Sequence, residues 1–279
     1  MVMKKALVAL ATMTTLVAGA QTKGNFEVLD CTTFKVHVYN SNDVMADASY
    51  IIEGKKGLVL MELPLFKENS AEFNAYVKKL NKPIEKVITD YHLGGSDDHE
   101  ITEPEGMPAF IKGDIYGGMM KHFGQVFGEA MVSLPTAATQ EVAFGSTHTW
   151  AGVTFTFEKG ASTDFPAASI IIGKKVYYTH WTPAKAHPSN LQFSSSTAVD
   201  AELKEAQKAL KSGCKYFAGG HGGLATIDAL EFKIEYLNTV NKLLNENKTA
   251  QDFVSAMKSK YPSLAGENNL SALAEALYK

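Results

Sequence analysis

KVITDYHLGGSDDHE, residues Lys86–Glu100, is the stretch on which the rest of the chain is organised. The β-branched run Val87-Ile88-Thr89 favours an extended strand. It delivers Asp90 and His92 to the strand's end, and Gly94-Gly95 turns the chain at once. Alternating metal-capable side chains, followed by a glycine turn, are how an α/β sheet presents chemical groups at its strand ends.

Upstream, residues 25–40 and 48–61 alternate or run apolar, with turn signals at Ser41-Asn42-Asp43 and Gly54-Lys55-Lys56-Gly57, and read as antiparallel hairpin strands. His37 lies mid-strand and reads as structural. The strand ending LVLMELP carries Glu62 at its tip. Asn69 or Ser70 can cap a helix, AEFNAYVKKLN, with Phe73, Tyr76, Val77 and Leu80 on one face. With IEKVITDYH as the next strand, this makes a βαβ unit.

Downstream, residues 101–138 are rich in Gly and Pro, with a short strand expected at Ala109–Lys112 and a helix around Tyr116–Phe127. The Met119-Met120, Phe123 and Phe127 side of that helix reads as packing or pocket wall. Strands are expected at Gln140–Phe144, Thr147–Trp150, Val153–Glu158, Ala168–Ile172 and Lys175–His180. A helix, Asp200–Ser212, and a strand, Lys215–Ala218, then run into Gly219-Gly220-His221-Gly222-Gly223. The remaining segment, 224–279, reads as helical, with breaks near Lys248 and Pro262. Strands, helix and strand occur twice, without a linker between, so residues 21–279 are read as one domain.

Residues 1–20 combine Lys4-Lys5, a short apolar run and Ala18-Gly19-Ala20, the pattern of a cleavable signal peptide. The run is too short to span a bilayer, and the expected location is the periplasm or the exterior. Without Lys4 and Lys5, the 27 basic residues fall to 25, against 30 acidic ones. All of them are lysine. The absence of arginine and the acidic balance argue against nucleic acid as partner or substrate. They leave a small, partly apolar molecule as the expected ligand. Cys31 and Cys214 read either as one disulfide or as two buried thiols. Oligomeric state is not legible.

Three strand ends carry the candidate chemistry: Asp90 with His92, then His180, then His221. One histidine alone reads as structural. Three at separate strand ends point to a shared site, and a histidine–carboxylate cluster suits zinc or another divalent ion that activates water for hydrolysis. Ser194-Ser195-Ser196 lacks the glycine elbow of a serine hydrolase, and GGHGG lacks a phosphate-loop lysine.

This succession, from ASYIIEGKKGLVLMELP through KVITDYHLGG and VYYTHW to GGHGG, resembles the metallo-β-lactamase superfamily over about Asn25–Gly223. The resemblance implies a four-layer αββα sandwich, two mixed sheets flanked by helices, with a metal site along one edge. It also implies hydrolytic chemistry. The family motif H-x-H-x-D-H is degenerate here: Asp90 stands at its first histidine, His92 matches the second, and the Asp-His pair is missing before the glycines. Asp97, Asp98 and His99 lie just beyond, as substitutes or as a solvated loop. Gly160-Ala161-Ser162 falls where the third histidine is expected, His180 falls where the bridging aspartate is expected, and His221 matches the last histidine. Glu62 stands where an aspartate steadies the site from behind.

The expected centre is therefore mononuclear, with a single divalent ion, zinc first, held by some of Asp90, His92, His180 and His221. Asp90 is a ligand or general base, and His180 a ligand or proton donor, in hydrolysis of a small ester, lactone or amide. Two alternatives stay open. One is an inactive binding or scaffold protein without metal. The other is a metal-free hydrolase using Asp90 with His92 or His180 as an acid–base pair.

Overall fold

The computed structural model describes residues 23–92, 94–95, 99–133, 139–161 and 166–279. The expected signal peptide, Asp97, Asp98 and Ser162 lie outside them. The first sheet is formed in chain order by β1 (Asn25–Asp30), β2 (Lys35–Asn40), β3 (Ala48–Glu53), β4 (Leu58–Met61), β5 (Ile84–Ile88), β6 (Ile101–Pro104) and β7 (Thr139–Val142). Strands β1 to β4 pair antiparallel, and β4 to β7 pair parallel. The parallel half begins where helix α1 (Lys67–Leu80) crosses over from β4 to β5.

The second sheet contains β8 (Thr147–Trp150), β9 (Val153–Lys159), β10 (Ala168–Ile172), β11 (Val176–Trp181), β12 (Tyr216–His221) and β13 (Gly223–Thr226). Only β11 and β12 pair in parallel here, joined by helix α4 (Ser196–Lys211). Helices α2 (Met107–Ile111) and α3 (Asp114–Phe127) precede β7. Helices α5 (Ile227–Glu246), α6 (Ala250–Lys260) and α7 (Leu270–Leu277) close the chain.

Side-chain alternation assigns each strand face. Tyr50 and Ile52 of β3, and Ile88 of β5, meet Val176, Tyr178 and Phe155 in the core between the sheets. Ile51 and Val87 point the other way, onto Phe73 and Val77 of α1 and Tyr116 of α3. On the far side, Tyr177 and Phe217 pack against Ala206 of α4 and Leu230 of α5. The result is helices, sheet, sheet, helices. A further apolar cluster, built on Val199, Leu237, Phe253 and Leu273, joins α4 to the last three helices.

Two expectations are corrected. Ala109–Lys112 is not a strand, because Pro108 sits in the first turn of α2, where its missing N–H costs nothing. The strand of that region is β6, Ile-Thr-Glu-Pro, whose polar Thr102 and Glu103 are buried and conceal it from a hydrophobicity reading. Strand β13, Gly223–Thr226, likewise takes residues 224–226 out of the expected helical segment. His37 is bound at both nitrogens, Nδ1 at 2.9 Å from the Tyr76 hydroxyl and Nε2 at 2.9 Å from Glu53. Cys31 and Cys214 are both buried and unpaired with each other. No described helix is long and apolar enough to cross a membrane.

Glu103 makes a prediction of its own. It is 2% exposed, and its Oε2 has no hydrogen-bond partner among the described residues. Burial pushes its carboxyl up to about 7, with Lys112 pulling down and Glu141 pushing up. The folded chain thus holds a proton that the unfolded chain releases from about pH 4.5 upward. The associated stability is complete below that value and is lost as pH rises through about 7. Glu103→Gln is expected to be about 1–3 kcal/mol more stable than wild type at pH 8, and close to it at pH 4.5. Urea unfolding at the two pH values measures the difference. An equal offset at both would refute a titrating Glu103.

Candidate metal centre

Three neighbouring strand ends build the site. Strand β5 stops at Ile88, so Asp90 and His92 lie in the loop just past it. His180 stands one residue from the end of β11, and His221 ends β12, the parallel neighbour of β11. Among the described residues, His92, His180 and His221 form a group whose ligand atoms all lie within 4.8 Å of one another. The Nε2 atoms of His92 and His221 are 3.2 Å apart. Two imidazoles bound at ~2.0–2.1 Å in a tetrahedron place their nitrogens about 3.3 Å apart, so this pair is spaced for a common ion.

Hydrogen-bond partners decide which nitrogen of His221 is free. Its Nδ1 lies 3.0 Å from the Met45 carbonyl and 3.0 Å from Asp47 Oδ1. Both partners only accept, so Nδ1 carries the proton, and Nε2 presents its lone pair to the site. For His92, Nδ1 is 3.5 Å from Glu62 Oε2, which can take the Nδ1–H when Nε2 serves as a ligand. A carboxylate behind the imidazole is the usual support of a metal-ligating histidine.

The electrostatics favour neutral rings. Burial, helped by the nearby His221, lowers His92 to about 4 against the pull of Asp47. Burial also holds His180 well below the usual imidazole range, reinforced by His221 and His92. A neutral imidazole is the form that binds a metal ion. Burial raises Asp47, yet His92 and His221 outweigh it and keep its carboxyl below the usual range.

Local packing fixes the rings. The GGHGG turn is tied to the first sheet through Tyr50, whose hydroxyl is 2.7 Å from the Gly219 carbonyl and 2.6 Å from that of Gly223. A Cβ on Gly220 would lie 2.8 Å from His92 Cε1, so glycine there leaves room for that ring. Gly223 has φ +71, and a Cβ on it would collide with Asn40 Oδ1. Trp181 stacks on His221 at 4.2 Å between centroids, and Tyr91 meets the His180 ring edge-on at 4.9 Å.

The other candidate residues fall elsewhere. Asp90 is fully buried and outside the three-histidine group, and its Oδ1 accepts the Ala168 N–H at 2.7 Å. Burial and the adjacent Glu62 push its carboxyl well above the usual range. Glu62, itself 1% exposed, accepts the backbone N–H groups of Asp90 at 2.5 Å and His92 at 3.1 Å, holding the loop that carries His92. Burial raises its carboxyl too. His99 is partly buried and outside the group. Gly160 and Ala161 line a cavity of ≈ 60 Å³ that His180 and Trp181 also line.

Asp47 was missed by sequence reasoning. It lies in the loop between β2 and β3 that reads only as a turn, and nothing local pairs it with a histidine so far along the chain.

The sequence matches no family model and no curated protein. Solved structures do match. The DIM-1 metallo-beta-lactamase exposed to ceftazidime is 11% identical, with a TM-score of 0.55, over 79% of this chain and 99% of that one. The stereoselective inverting sec-alkylsulfatase Pisa1 from Pseudomonas sp. is 16% identical, with a TM-score of 0.61, over 91% of this chain and 50% of that one. An archaeal metallo-beta-lactamase superfamily protein from Sulfolobus tokodaii is 12% identical, with a TM-score of 0.52, over 86% and 98%. At these identities the likeness is one of fold.

Proposed function

We propose, from the metallo-β-lactamase fold that this chain has, that it is an exported, metal-dependent hydrolase of a small ester, lactone or amide. The observation that carries the reading is the convergence of His92, His180 and His221, with the His221 Nδ1–H fixed by Met45 and Asp47. Three imidazoles with no fourth histidine, cysteine or carboxylate grouped with them among the described residues make an open centre rather than a closed structural one. The donor set suits zinc first, and other borderline divalent ions next.

A divalent ion held there supplies Lewis acidity and lowers the pKa of water, which hydrolysis needs. The chain's own residues do the rest. Asp47 and Glu62 orient the His221 and His92 rings. Tyr91 and Trp181 wall the rings with aromatic surface. Asp90 is fully buried, lies outside the three-histidine group, and holds the loop against the second sheet through the Ala168 N–H. Water adds across the acyl C–O or C–N bond, releasing the acid and the alcohol or amine. Export is supported by the composition of residues 1–20.

The experiment is turnover of 4-nitrophenyl propionate by the zinc-loaded protein. The reading expects hydrolysis that a chelator abolishes and added zinc restores. Turnover indifferent to chelator favours the metal-free acid–base alternative, and absence of turnover favours the inactive binding protein.

A further inference from the structure

The cavity beside His180 has a definite chemistry. Its ≈ 60 Å³ holds roughly four water-sized groups, enough for an acyl chain of about three carbons. Its apolar wall is Ala161, Leu191, Phe193 and Ala198, and its polar wall includes Glu202 and Glu205, with no lysine. Glu205 is buried, with Oε1 accepting from the Ser169 hydroxyl at 2.5 Å and the Tyr177 hydroxyl at 2.6 Å. Its Oε2 lies 3.9 Å from Lys208, and that lysine is bound more closely to Glu158 at 2.5 Å. Glu202 is already paired with Lys233 at 2.6 Å. The positive end of α4 borders the cavity, yet the Ala198 N–H is taken by the Ser195 hydroxyl at 3.2 Å. Away from His180, no unpaired cation among the described residues lines the cavity to meet a buried anion beside Glu202 and Glu205.

We propose that this cavity is the acyl subsite, and that it takes a short uncharged acyl group while rejecting carboxylate- and sulfate-bearing substrates. The assignment rests on the hydrolase reading above, and it separates this chain from the lactamase and alkylsulfatase named in the comparison. Specificity here comes from an unmet charge rather than from an added contact.

The test is a matched pair, 4-nitrophenyl propionate and mono-4-nitrophenyl succinate, which share a leaving group and differ in a terminal carboxylate. With the zinc-loaded chain, kcat/KM is expected to favour the propionate by about a hundredfold or more. Gln192→Lys places a cation on the cavity wall and is expected to narrow that ratio by about tenfold or more. Ala198→Met fills the cavity and is expected to raise KM for the propionate by about tenfold, with bound zinc unchanged. Equal or better turnover of the succinate, or Gln192→Lys and Ala198→Met leaving both ratio and KM unmoved, overturns the assignment. If neither ester is turned over, the hydrolase reading fails and binding decides the subsite separately. Ligand-observed NMR on the metal-free chain is then expected to show propionamide bound, propionate at least about tenfold weaker, and binding lost in Ala198→Met. Propionate binding as well as the amide, or no binding of either, overturns it there.

Discussion

The His221→Ala protein, loaded with zinc and desalted, is expected to retain less than about a tenth of an equivalent where the wild type retains close to one. His221 is the ring whose metal-binding tautomer is fixed, because Nδ1 faces only acceptors, the Met45 carbonyl and Asp47. Removing it also removes one of the two Nε2 atoms spaced 3.2 Å apart. Loss of a supporting partner alone costs ~10–100-fold in affinity, and loss of a ligand costs more. The substitution strands the Asp47 carboxylate in a buried position, so a lower Tm accompanies the lost metal. His92→Ala leaves the Asp47–His221 pair intact and is expected to lose zinc with a smaller change in Tm. Elemental analysis and a melting curve on each variant read both effects. Zinc retained by His221→Ala at the wild-type level would rule out this ligand set.

Glu62→Ala is expected to have the largest effect on stability. Glu62 joins β4 to the His92 loop through N–H groups at 2.5 and 3.1 Å, and it is 1% exposed. Alanine leaves both donors buried without an acceptor, at ~1–3 kcal/mol each, or roughly 2–6 kcal/mol together. A chain of this size shifts its Tm by about 2–4 °C per kcal/mol, so the melt is expected to fall by about 10 °C. Glu62→Gln keeps the shape and one acceptor oxygen, and is expected to lose about half as much. Differential scanning calorimetry distinguishes them. A Glu62→Ala melt within about 2 °C of wild type would show that the loop is held by something else.

How much of this was legible in the sequence differs by residue. The strands could be read from their β-branched and aromatic runs, but Tyr50-Ile51-Ile52 and Val176-Tyr177-Tyr178 are apolar on both faces, so the sandwich was legible only through the family resemblance. His92, His180 and His221 were readable because each follows an extended run, and strand ends of one sandwich edge converge. Glu62 was readable only through the family resemblance, which gave its position but not its hydrogen bonds. Asp47 was not readable, since its histidine is reached across the two sheets rather than along the chain. Asp90 was read as a candidate ligand because it ends the β run beside His92 and stands at the first histidine of the family motif. The strand stops at Ile88, and the partner that holds Asp90, the Ala168 N–H, belongs to the other sheet. Strand β6 was hidden by burying Thr102 and Glu103, a choice that hydrophobic periodicity does not register.

The central claim is that one divalent ion is shared by the imidazoles of His92, His180 and His221. Anomalous diffraction at the zinc edge from zinc-soaked crystals tests it without recourse to activity. The expected result is a single strong peak about 2.0–2.1 Å from the Nε2 atoms of His92 and His221, with His180 as a further ligand. No peak among these three rings, or a zinc ion bound elsewhere with the rings left bare, would contradict the account.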